Sequence, residues 1–161
     1  MLSGFLKKLL FARQFMIDEG KIEVLGRRQI MLPFEIFSAL QALDQKKGYI
    51  TIKSSMKENM QYYAKRIGTT SMGMLKSSEE VFETFGLGKI SIIKLDNSKK
   101  TAIVRLFNSP VSGTCGKVSG GCGIQCASLA GLFSFLFSKD VDAEVTQCST
   151  DNRGFCEFII K

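Results

Sequence analysis

No histidine or tryptophan occurs anywhere in the 161 residues, and proline appears only twice. The missing imidazole excludes catalytic triads, histidine acid–base chemistry and mixed cysteine–histidine metal sites. A transition metal could be held only by thiolates, with or without a carboxylate. Cysteine is absent from the first 114 residues, after which Cys115, Cys122, Cys126, Cys148 and Cys156 follow in the last third. Also lacking is an apolar run of the roughly 20 residues that span a bilayer; the longest reaches from about Cys126 to Phe137. The N-terminal "MLSGFLKKLLFARQFMIDEG" is broken by Lys7, Lys8 and Arg13 and has no small-residue cleavage site, so it does not read as a secretory signal. The expectation is a cytoplasmic protein, in whose reducing surroundings thiols serve metal or catalytic chemistry rather than a disulfide framework.

What is present describes an ordinary folded chain: 45% apolar residues, 15 glycines and no repeat of fixed period. Its length fits one domain over residues 1–161. The net charge of +7 would admit an anionic partner. Its basic runs "LKKLLFAR", "QKKG" and "NSKK" are scattered and carry no interleaved aromatics. That argues against nucleic acid as the partner.

Periodicity predicts a moderately amphipathic helix over residues 3–17, from Phe5, Leu6, Leu9, Leu10 and Met16. Its basic face admits contact with a membrane surface as a lesser reading. "KIEVLGRRQIML" reads as a hairpin with strands at about 21–25 and 28–32. Residues 1–32 thus form an N-terminal helix and hairpin that could serve dimerisation, ahead of a core at 33–161. Pro33 starts a helix that "KKG" ends, and "YITIK" reads as a strand. A helix capped by Ser54 or Ser55 presents Met56, Met60, Tyr63 and Ile67 on one face, and another covers about 74–85. "KISIIKLDNSKKTAIVRLFNS" is a β-hairpin turning through "DNSKK". A helix over 121–137, the strand "DAEVTQC", the loop "STDNRG" and the strand "FCEFII" complete the chain. Helices and strands segregate rather than alternate, which favours an α+β fold with an antiparallel sheet packed with helices.

Cys122 and Cys126, four apart, would project from one side of the helix. Cys148 and Cys156 flank the last hairpin loop, which can fold their sulfurs together. Four thiolates from a helix and a hairpin would satisfy tetrahedral zinc as a structural site, and an iron–sulfur cluster is the competing occupant. Buried cysteine is also a common small core residue, and Cys115, in "SGTCGKVSGG", reads as a spare thiol.

The segment "VRLFNSPVSGTCGKVSGGCGIQCASLAGLFSFLFSKDVDAEVTQCSTDNRGFCEFII" resembles the C-terminal signature of the 4-vinyl reductase, or hydrocarbon-binding, domain family. The resemblance rests on Asn108 and Ser109 closing a strand, Cys122 opening a helix that continues through Gly131, Cys148 ending a strand, and "CEF" at Cys156 to Phe158. It covers roughly the last 60 residues. It is weaker before them, where "GRRQIMLP" and the helix after "YITIK" are similar to archaeal stand-alone members. The resemblance implies a fold like that of trafficking-complex subunits, a homodimer, and a module for a hydrophobic or aromatic ligand. In phenol-sensing bacterial activators of the family, a helix cysteine, a strand glutamate and two hairpin cysteines hold zinc beside the ligand pocket. Cys122, Cys148 and Cys156 match three of these positions. The glutamate position, three residues before Cys148, is Val145 here; the adjacent Glu144 should face the other way, which makes Cys126 the replacement fourth ligand.

The leading expectation is therefore a non-enzymatic, sensory or regulatory module that binds a small apolar molecule and carries a structural zinc. Phe133 and Phe137 continue the side of the helix that carries Cys126 and Ala130. With Phe107 on the sheet they would border the pocket. The alternatives are a reductase-type enzyme linked to tetrapyrrole or other cofactor metabolism, and a dimeric protein-interaction module. Against an enzyme, "GTCGKVSGGCG" follows no nucleotide-binding βαβ unit and lacks a Walker lysine–serine pair.

Overall fold

The computed structural model describes residues 4–40, 45–110, 122–148 and 154–161. Helix α1 (Gly4–Phe11) leads into strands β1 (Phe15–Asp18), β2 (Lys21–Val24) and β3 (Arg27–Gln29), which form a small antiparallel sheet in that order. The expected helix over 3–17 is thus cut short. Arg13 adopts a left-handed conformation (φ 52°), and Phe15 to Asp18 pair with β2 instead. Both connections are tight: Glu19–Gly20 (φ 43° and 76°) and Leu25–Gly26 (φ 53° and 79°) each place two successive residues at positive φ. This is the turn geometry that matches strand twist. The hairpin expected from "KIEVLGRRQIML" is β2–β3, with a third strand on its other side.

Helix α2 (Phe34–Leu40) begins after Pro33, as expected; residues 41–44 lie outside the described chain. Helix α3 (Gln45–Ile67) then takes in "YITIK", so the expected strand there is helical and Ser54 and Ser55 lie inside the helix rather than capping it. The cause is tertiary. Helix α5 (Gly123–Phe137) crosses α3 so closely that a Cβ on Gly131 would run into the Lys53 carbonyl oxygen and stand 2.8 Å from the Met56 Cβ. Packing of this kind overrides the local β preference of Tyr, Ile and Thr. Met60 and Tyr63 are buried as the stripe predicts, whereas Ile67 is exposed. Helix α4 (Ser71–Thr84) starts earlier than expected, because the Thr70 hydroxyl caps it by accepting from the Gly73 amide at 3.1 Å.

The main sheet contains β4 (Lys89–Asp96), β5 (Thr101–Phe107), β6 (Ala143–Gln147) and β7 (Phe155–Ile160), all antiparallel in the order β4-β5-β7-β6. Asp96 closes the β4–β5 hairpin by accepting from the Ser98 hydroxyl and from the Lys99 and Ser98 amides, which holds its carboxyl below the usual range. Ala102, Val104 and Leu106 of β5 and Cys156, Phe158 and Ile160 of β7 are buried, while their neighbours are not. One face of the sheet therefore meets the core. Helix α5 is buried nearly all round, from Gln125 through Phe137 with only Phe135 less so. The α+β class, with antiparallel sheets packed on helices, is as the sequence indicates. No helix among the described residues is long and apolar enough to cross a membrane.

Candidate functional site

Cys122 is the N-cap residue of α5, with non-helical backbone (φ −121°, ψ 17°) and no capping hydrogen bond from its side chain. Cys148 follows the end of β6, and Cys156 is the second residue of β7, pointing inward and fully buried. The antiparallel β6–β7 pairing returns the chain so that these three sulfurs meet. Cys148 Sγ lies 3.3 Å from Cys122 Sγ and 3.3 Å from Cys156 Sγ, and all three fall within 4.8 Å of one another. Sulfurs bound at about 2.3 Å around a tetrahedral zinc stand about 3.8 Å apart, within the 4.8 Å reach of the trio. A soft donor set, two of its members largely shielded from water, fits a thiophilic metal. Among the described residues no fourth cysteine or carboxylate joins the group.

Cys126 lies outside the trio. Burial pushes its thiol up to about 11, opposed by the Val145 backbone amide, so its environment favours the neutral form. Glu144 points away, as expected, and binds Lys161 Nζ at 2.7 Å on the surface. Cys115 falls outside the described residues.

The expected aromatic wall divides in two. Phe133 and Phe137 are buried on α5 with ring centroids 5.6 Å apart. Phe107 belongs to the alternate set of β5 residues, on the sheet face away from that helix, where its ring meets Phe155 at 5.4 Å beside the Arg105–Glu157 ion pair. The inward position next to it is Leu106.

Sequence reasoning passed over two features. One is a groove of about 780 Å³ between α3 and the turn into β6, lined by Tyr49, Ile50, Lys53, Asp140 and Asp142 among others. Tyr49 is pushed up to about 12, by burial first and then by Asp142; its hydroxyl contacts Asp142 Oδ1 at 3.1 Å and accepts from the Ala143 amide at 3.2 Å. Burial works against the Lys53 ammonium, yet its bonds to Asp142 (2.7 Å) and Asp140 (3.1 Å) outweigh that and raise its pKa, while Lys53 lowers that of Asp142. The other feature is polar: Gln125 in the first turn of α5 and Ser109 after β5 are each 5% exposed, and Gln125 Oε1 and Ser109 Oγ have no hydrogen-bond partner. The polarity of residue 125 within so apolar a helix was the available signal.

These elements define an α+β domain whose four-stranded antiparallel sheet is covered on one face by helices, with a thiol cluster where the last helix begins. The same fold occurs in the phenol-responsive sensory domain of the transcription activator PoxR, solved with phenol; the two share a TM-score of 0.72 and 18% identity over 99% of this chain and 91% of that one. It also occurs in a vinyl-4-reductase family protein from Methanocaldococcus jannaschii, with a TM-score of 0.52 and 15% identity over 83% of each chain. A trafficking protein particle complex subunit 3 from Naegleria fowleri, covalently bound to palmitic acid, gives a TM-score of 0.48 at 13% identity, over 79% of this chain and 95% of that one. By sequence, no family model and no curated protein matches.

Proposed function

We infer that this chain is a sensory or regulatory module for a small aromatic or otherwise apolar ligand, with a structural zinc held by Cys122, Cys148 and Cys156. The observation that carries the reading is the convergence of these three sulfurs, from the start of α5, the end of β6 and the start of β7, within 4.8 Å. A fold shared with a phenol-responsive sensory domain supports the choice of ligand class. The zinc would tie the helix to the hairpin and leave chemistry to the ligand's receiver. Cys126, buried against Val145, is a packing residue in this reading and not the fourth ligand. The ligand sits against α5 at Phe133 and Phe137 rather than at Phe107. The chain works as a homodimer through its N-terminal elements, which expose Phe11 (91%), Met31 (78%), Ile30 (74%) and Ile17 (66%). Apolar exposure on this scale marks interaction surfaces.

Elemental analysis with a visible spectrum, on protein purified without added metal, tests the centre. About one zinc per chain is expected for a single structural site. Iron and a brown colour would replace the zinc by a cluster, and metal-free protein would refute the centre. Calorimetric titration with phenol tests the ligand class separately.

A further inference from the structure

Polar side chains inside a helix buried nearly all round are costly unless their hydrogen bonds are made. Ser134 of α5 obeys this rule, donating to the Val141 carbonyl at 3.2 Å and accepting from the Val141 amide at 3.1 Å. Gln125 does not: its Oε1 is shut away from solvent with no partner. The only other side-chain atom of this kind among the described residues is Ser109 Oγ. Ser109 lies just beyond β5, past Leu106, which pairs with Cys156, so both atoms belong to the cysteine end of the molecule.

The position of Gln125 along α5 gives the open acceptor its meaning. It lies in the first turn, next to the cap Cys122, and comes four residues before Leu129 and eight before Phe133, spacings that share one side of a helix. Its amide therefore belongs to the cysteine end of the side of α5 that carries Leu129 and Phe133. A leucine here would fill the same space with no polar atom to satisfy. We propose that Gln125 Oε1 is the acceptor for the hydroxyl of the bound ligand, so that this site selects a hydroxylated aromatic over the hydrocarbon of the same shape. The proposal rests on the small-molecule reading above and assigns the residue that sets its specificity. When the ligand's O–H reaches Oε1, the one unfilled acceptor on this face of α5 is filled; a methyl group in its place leaves it unfilled, which is how a polar group in an apolar pocket discriminates.

Phenol and toluene, which differ in O–H against CH₃ on one ring, are the probes. Their dissociation constants are measured by isothermal titration calorimetry on the full chain as purified and on Gln125→Leu, with Gln125→Met as the second variant should the leucine protein fail to fold. The unaltered chain is expected to bind phenol at least about tenfold more tightly than toluene, one net hydrogen bond's worth. The substitution should weaken phenol about tenfold, leave toluene within about twofold, and so erase the preference. A loss of both ligands in equal proportion would mark a merely structural role and overturn the assignment. Equal binding of the two by the unaltered chain, or a phenol preference that survives the substitution, would overturn it while leaving the small-molecule reading intact. Failure of the unaltered chain to bind either probe overturns that reading and this proposal with it.

Discussion

In β5 and β7 every second side chain is buried, Ala102, Val104 and Leu106 running beside Cys156, Phe158 and Ile160; in β1 none is, and Met16 (48%) and Ile17 (66%) face solvent. The main sheet closes its apolar face against helices of its own chain. The small sheet is held to the body by Val24 and Leu25, which are buried in the core, and by polar and stacking contacts: the Tyr62 hydroxyl to the Leu25 carbonyl (3.2 Å), Arg27 to Asn59 Oδ1 (2.5 Å), and the Arg27 guanidinium 4.3 Å over the Tyr62 ring. Two sheets of one chain thus differ in what their apolar surface is for. One makes a core, and the other leaves the apolar side chains Met16 and Ile17 exposed.

The contrast is broken most severely at Gly131. A valine there must displace the Lys53 backbone, and Gly131→Val should lose about 3 kcal/mol, read from urea unfolding monitored by circular dichroism. Next comes the thiol cluster. Cys148→Ser and Cys156→Ser should each lose the proposed metal and on the order of 3 kcal/mol, whereas Cys126→Ser should keep about one metal per chain. Retention of metal by the first two, or its loss in the third, would reassign the ligands.

Smaller effects are expected at the Lys53 cluster. Lys53 lowers the pKa of Asp142, so the contribution of this carboxylate is complete above the ordinary aspartate range and is lost as pH falls through its depressed value. The carboxylate is 62% exposed, which limits the effect to about 1 kcal/mol or less. Thermal melts at pH 6 and pH 3 should therefore show a slightly smaller acid destabilisation in Asp142→Asn than in the unaltered chain; an equal one would remove the pair from the stability account. Smallest for the fold, and sharpest for the contrast, is the double change Ile17→Glu with Met31→Glu. Chain stability should move by less than about 0.5 kcal/mol per site, while sedimentation velocity should show the proposed dimer giving way to monomer. An unfolded variant would place these side chains in a core after all.

Much of the main sheet was legible because its strands announce themselves locally. "KISIIKLDNSKKTAIVRLF" carries two β-branched runs around a turn, and "FCEFII" alternates in step with its burial. Legible too were Cys122, Cys148 and Cys156 as a group. What the sequence hid depends on contacts made at a distance. "YITIK" has the composition of a strand, yet it is helical where α5 crosses it at Gly131, a contact about 80 residues away along the chain. β1 was hidden because its apolar residues are outside, so no burial pattern marks it. Phe107 turns on parity, since one step along a strand exchanges the two faces and Leu106 holds the inward place. Cys126 stands apart from the trio because the stacking of residues four apart presumes that both are helical, and Cys122 is a cap. Gln125 stood in plain view, but only the absence of a partner gives it significance.

The edge strand β6 is fastened at both ends. Beyond its first residue, Asp142 exchanges backbone bonds with Lys161 (2.8 and 3.0 Å) and is gripped by Lys53 and Tyr49; beyond its last, Cys148 enters the thiol cluster. Between them Val145 is 42% exposed, and among the described residues only β7 pairs with the strand. Such a strand has a direction of unravelling. With the Cys148 end released, amide hydrogen exchange would spread from Gln147 back toward Ala143, and the state of the sulfurs would be written as a gradient of protection along five residues.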